Sequence, residues 1–164
     1  MIVEIIKHTP NWVFILFIGL VVLGYSQTKD RRKKLNRILI LPIVIILLSI
    51  SGIYSAFGTI KYALILYFIG GVISLVIGLK LSFPKNVKYN KSDDSFNIPG
   101  SWIPMILILI IFFIKYFVAV VIARKLPIAS EIEFIAIISL LYGILCGIFV
   151  SRSIVTIKSK YILK

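Results

Sequence analysis

A chain of 164 residues that is 60% hydrophobic, with a mean hydropathy of +1.06, holds more apolar surface than a water-soluble domain can hide. It also carries 19 Lys and Arg against six Asp and Glu, a formal charge of +13. Apolar stretches of about 20 residues separated by charged gaps exclude an ordinary soluble domain and fit a protein that crosses ~30 Å of hydrocarbon several times.

The predicted fold is all-α and polytopic, with five transmembrane helices at approximately 11–26, 38–57, 62–79, 102–123 and 132–150, in one integral membrane domain over 1–164. These runs are apolar throughout, so they read as helices and not as alternating barrel strands. Before the first span, Thr9 suits an N-cap and Pro10 the first helical position. Glu4 and Lys7 do not make a basic leader, so the first span is expected to stay in the mature protein. The gap Thr28 to Arg37 holds six cations and reads as a topology determinant that also meets anionic headgroups. Pro42 should kink the second span or mark its true start. Short gaps at Gly58–Lys61 and Arg124–Glu131 predict two antiparallel helix hairpins, spans two with three and four with five.

The longer gap between spans three and four has a different pattern. Val87, Tyr89, Phe96 and Ile98 alternate with polar residues. One antiparallel register pairs Val87 with Ile98, Tyr89 with Phe96 and Lys91 with Asp94, a small cytoplasmic β-hairpin turning at Ser92-Asp93. Ser101 then caps the fourth span, with Pro104 in its first turn.

In this five-span arrangement 14 cations fall on one side and four (Lys7, Lys61, Arg124, Lys125) on the other. The bias predicts an outside N-terminus and a cytoplasmic C-terminus. It also accounts for the high charge without nucleic acid; the expected partner is the lipid bilayer. Small residues recur every fourth position as Gly70, Ser74, Gly78 and as Gly143, Gly147, Ser151, which predicts helix contact faces.

Catalytic and metal-binding patterns are not evident. Cys146 is the only cysteine and reads as a buried hydrophobe. His8 is the only histidine, too few for a metal site. All six acids lie in loops or tails, and no phosphate-binding Gly-rich loop or G-x-S-x-G occurs. The expectation is no enzyme, no cofactor and no metal. Lys115 is the one ionisable residue inside a span, where its charge costs about 3 kcal/mol. It is expected to face inward and find an outer-side partner: Glu4, His8 or a hydroxyl of span two. Tyr116 beside it completes a candidate intramembrane site, functional or structural.

His8-Thr9-Pro10-Asn11-Trp12-Val13, the stretch Gly24 to Gln27, and Pro99-Gly100-Ser101-Trp102-Ile103-Pro104 followed by Lys115-Tyr116 resemble a family of small bacterial inner-membrane proteins of unknown function. The order of elements is more remotely similar to the CcdC-like membrane proteins. The resemblance implies a multi-pass protein of the bacterial cytoplasmic (inner) membrane and no reaction. The leading expectation is a protein that acts through a membrane-protein partner or as a homo-oligomer. The alternatives are a small transporter or channel subunit with Lys115 lining a polar path, and an immunity-type membrane protein.

Overall fold

The computed structural model describes residues 9–58 and 61–162. Among these residues, five α-helices and a three-stranded antiparallel sheet follow in the order α1 (Asn11–Ser26), β1 (Arg31–Lys34), α2 (Leu35–Phe57), α3 (Lys61–Leu81), β2 (Lys88–Asn90), β3 (Ser95–Ile98), α4 (Ile103–Ala123) and α5 (Ile132–Ile162), with a short 3-10 turn at Pro127–Ser130 before α5. Helices α2 to α5 are each long and apolar enough to cross a membrane; α1 is shorter.

Helix α5 is the axis of the bundle. Of the residues in its apolar stretch 61% are buried, against 28, 22 and 22% for α2, α3 and α4. Phe134, Ile138, Tyr142, Leu145 and Phe149 carry the core on α5. Its main neighbour is α3, and the two descend in parallel. They meet along small residues: a Cβ built on Gly70 would lie 2.7 Å from the Leu140 carbonyl oxygen. One on Gly143 would collide with the Tyr67 carbonyl, and one on Gly147 with Ser74 and the Gly71 carbonyl. Gly78 abuts Ser151 in the same way. Without Cβ atoms the two backbones come into direct contact, which is what drives helix association where lipid is as apolar as the side chains.

The two helix hairpins expected from the short loops are not the packing units. Helices α2 and α3 touch little, as do α4 and α5; the larger contacts are α3 with α5, α2 with α5, and α1 with α4. A short loop fixes the opposite direction of two helices, whereas a small-residue face decides which neighbour they pack on. Helix α1 runs antiparallel to α4, with the Phe17 ring 5.0 Å from that of Phe112 and 6.1 Å from that of Phe113.

Several boundaries differ from expectation. Helix α2 starts at Leu35, so Pro42 lies inside it, buried, and is not its start. Pro10 holds the N-cap position of α1 and the Thr9 hydroxyl meets that of Tyr116 at 2.6 Å, so Thr9 is not the cap. The tail after Val150 remains helical to Ile162, making α5 31 residues long. At 1.5 Å per residue that is roughly 46 Å, more than a bilayer core, and the excess passes beside the sheet. Trp102, not Ser101, holds the N-cap position of α4; the Ser101 hydroxyl accepts from the Ile103 amide at 3.3 Å from one residue earlier.

The sheet has the strand order β1-β3-β2. Tyr89 pairs with Phe96, and Lys88 and Asn90 pair with Asn97 and Ser95. Residues 91–94 form the turn, so Lys91 and Asp94 are not a cross-strand pair. Asp94 instead accepts from the Tyr89 hydroxyl at 2.6 Å and from Lys160 of α5 at 3.0 Å. The basic segment Arg31–Lys34 is a third strand, with Lys33 opposite Phe96. Phe96 and Ile98 are buried with Ile38 of α2, and Ile157 of α5 packs against them. A two-stranded hairpin is marginal in water; the third strand and the two helices give this one a core.

Candidate functional site

Two places bring polar side chains together. The first surrounds Lys115. Helix α4 turns this half-buried side chain onto α2, where a Cβ built on Gly52 would lie 3.2 Å from both Lys115 Cε and Nζ and 3.6 Å from the Tyr142 ring of α5. The absent side chain of Gly52 is what makes room for the lysine stem. Among the described residues Lys115 makes no hydrogen bond or ion pair, so the hydroxyl partner expected from span two is not there. Glu4 and His8 lie outside the described residues. Consecutive helix positions point about 100° apart. Tyr116 therefore faces α1 and meets Thr9, while Lys115 faces α2 and α5.

The remaining candidates, Gly70, Ser74, Gly78, Gly143, Gly147 and Ser151, all sit in the α3–α5 seam. Their place is in packing.

The second place is the sheet end of the bundle. Side chains of β1 alternate, with Arg31 and Lys33 half-buried and Arg32 and Lys34 exposed. Arg31 and Lys33 line a cavity of about 50 Å3 together with Arg37 from the first turn of α2 and Arg152 of α5, over an apolar floor that includes Ile38 and Phe149. The Arg31 Nη1 donates to the Gln27 carbonyl at 2.6 Å, and its Nε is buried with no partner. Burial holds the Arg31 guanidinium below its usual pKa. Burial, then the charges of Arg31 and Arg37, push the Lys33 ammonium down. A wider cleft of about 380 Å3 shares Lys33 and Arg37 and adds Arg32, Lys34, Asp93 and Ser95. Ser95 is only 6% exposed and its hydroxyl has no partner.

The nearby acids are engaged elsewhere. Asp30 accepts from the Gly100 amide at 2.7 Å, Asp93 lies 3.7 Å from exposed Arg32, and Asp94 is held by Tyr89 and Lys160. Among the described residues no carboxylate pairs with Arg31, Lys33, Arg37 or Arg152. The Pro-Gly-Ser turn has a part here: the Ser101 amide donates to the Gln27 carbonyl at 3.0 Å, and a Cβ on Gly100 would collide with the Thr28 carbonyl. That clasp fixes the chain that leads into β1.

A model of a family of unknown function, DUF6622, matches residues 1–160. The chain belongs to DUF6622. No curated protein and no solved structure matches it. Nothing in these comparisons supports the likeness to CcdC-like proteins.

In this DUF6622 member the cavity cations come from three separate segments, β1, α2 and α5. Sequence reasoning counts them as topology charges that also meet anionic headgroups and does not gather them at one cavity, because nothing local in Arg31-Arg32-Lys33-Lys34 marks a strand. The one available signal is Arg152, which follows a small-residue stripe and therefore lies at a close helix contact. Chemically, four cations without a carboxylate suit a negatively charged group. Among the described residues no three of His, Cys, Asp and Glu come together as a metal site would need.

Proposed function

We propose that the protein is a non-enzymatic, multi-pass protein of the bacterial cytoplasmic membrane, a single integral domain that acts through its own oligomer or a membrane-protein partner. The observation that carries this reading is the low burial of α2, α3 and α4. Their apolar residues, among them Leu47, Ile65, Phe68, Val72 and Phe113, stay exposed around the bundle. Water would not tolerate such a belt, whereas lipid or a neighbouring helix would.

In this reading the sheet end faces the cytoplasm. The ends of α1, α3 and α5 and the starts of α2 and α4 gather there, with the 14 cations. Helix α1 counts as a fifth span because it follows α4 from Tyr116 at one end to Ser101 at the other. Lys115 serves as an inward-facing structural anchor over Gly52 in this reading.

A reporter active only in the cytoplasm, fused to each terminus in turn, tests the topology. Activity is expected at the C-terminus and silence at the N-terminus. Activity at both ends would leave α1 on the cytoplasmic surface and reduce the spans to four. Silence at the C-terminus would reverse the orientation. Native mass spectrometry from nanodiscs reads the association: a single copy with no protein partner removes that part of the proposal.

A further inference from the structure

We infer that the cavity between β1, α2 and α5 is a binding site for a phosphate group, held by Arg31, Lys33, Arg37 and Arg152. Three independent observations meet at this point. The four cations converge without a carboxylate among the described residues; Arg37 is exposed, but Arg31, Lys33 and Arg152 are partly buried, where an unneutralised charge is costly. Donors are left over: the Arg31 Nε is buried without a partner, and so is the Ser95 hydroxyl in the adjoining cleft. The first turn of the 23-residue α2 borders the cavity and has no side-chain cap and no acidic residue, so its amide end adds positive potential.

Size and shape point the same way. A volume of about 50 Å3 is several times the ~10–15 Å3 that one water requires, enough for a tetrahedral oxyanion. Three guanidiniums supply planar forks that match phosphate oxygens. The floor of Ile38 and Phe149 carries no anionic group to hold a cation. The wider cleft beyond Lys33 and Arg37 gives an approach from the basic surface, at the level where lipid headgroups would lie. The ligand is therefore the phosphate of an anionic lipid headgroup or a free phosphate.

The test uses the full-length protein with two probes. In a maltoside detergent, inorganic phosphate is titrated at constant ionic strength against chloride, and thermal unfolding is followed. In nanodiscs, phosphatidylcholine alone is compared with phosphatidylcholine containing phosphatidic acid. A saturable rise in unfolding temperature is expected from at least one probe; phosphate acting alone marks the free ion, phosphatidic acid acting alone the headgroup. Arg152→Gln and Arg31→Gln should each weaken the response about tenfold or more, while Arg152→Lys keeps most of it. Lys158→Gln, an exposed cation on the same end of α5, should leave it unchanged. Without either probe, Arg152→Gln should unfold at a higher temperature than the natural chain, because one of four repelling charges is gone. A lower temperature there would assign Arg152 to packing and overturn the site. So would the absence of a saturable response to both probes, or an undiminished one in Arg152→Gln and Arg31→Gln.

Discussion

The seams α3–α5 and α1–α4 join helices in opposite ways. In the first, glycines let two backbones touch, and a single added Cβ at Gly143 or Gly147 meets a carbonyl. In the second, rings fill the space, with Phe17 against Phe112 and Phe113. In water the aromatic seam would be the costlier one to damage, since each ring removed loses its burial. In lipid that term nearly vanishes, because acyl chains take the place of the ring. What remains is fit, and fit is least forgiving where backbones touch. In a bilayer the bundle's stability would therefore rest on its smallest residues.

The sharpest way to break this contrast is Gly147→Leu. Four carbons must enter a space that Ser74 and the Gly71 carbonyl already fill. Overpacking of this kind costs about 3 kcal/mol, and thermal unfolding in detergent should show the largest loss of any single change considered. Gly71→Ala sharpens it, since a Cβ there meets only the Gly143 carbonyl at 3.6 Å, an ordinary contact. That variant should be at least as stable as the natural chain. Equal stability in Gly147→Leu would place this face in lipid and end the argument.

Phe17→Ala tests the other seam. A loss of about 1 kcal/mol is expected from the aromatic contacts alone. A loss as large as that of Gly147→Leu would mean that the ring is shielded from lipid.

Lys115→Met removes the charge and keeps the stem over Gly52. The desolvation cost disappears, so the change should be neutral or slightly stabilising in the same assay. A marked loss would show that the ammonium has a partner that matters.

The smallest effect is local. The Tyr89 hydroxyl, and then Lys160, hold the Asp94 carboxyl below its ordinary value of 3.8. A depressed carboxylate contributes above its unfolded pKa, and that contribution is lost as pH falls through the folded one. Acidification below the usual carboxylate range should therefore loosen the turn at 91–94 from α5. Amide exchange in that turn should accelerate, and Asp94→Asn should show the faster rate already at neutral pH.

Much of the helical frame is legible in the sequence. The limits 11–26 coincide with α1, and the start or end of the other spans shifts by a few residues, except at the end of α5. The register of Tyr89 with Phe96 follows from period-two alternation, which depends on side chains alone. The strand at Arg31–Lys34 does not, because a run of four cations has no apolar face to display; β3 and its burial against α2 and α5 recruit it. The helical continuation after Val150 is hidden for a related reason. Ser151, Arg152, Ser153 and Thr156 read as a polar tail until the sheet supplies a surface for Ile157. The basic cavity inherits both difficulties, since three of its four cations, Arg31, Lys33 and Arg152, belong to the two segments whose structure depends on contact with the rest of the protein.

Strand β1 has a further consequence for how copies of this protein meet. It is an edge of the sheet, and free edges invite another chain to add a strand. Here the edge consists of Arg31, Arg32, Lys33 and Lys34, so a second copy approaching edge to edge would bring the same four cations against them. The β1 edge is thus guarded against pairing with its own copy. In the proposed oligomer, contact then falls to the apolar flanks of α2, α3 and α4 and the β1 edges stay apart.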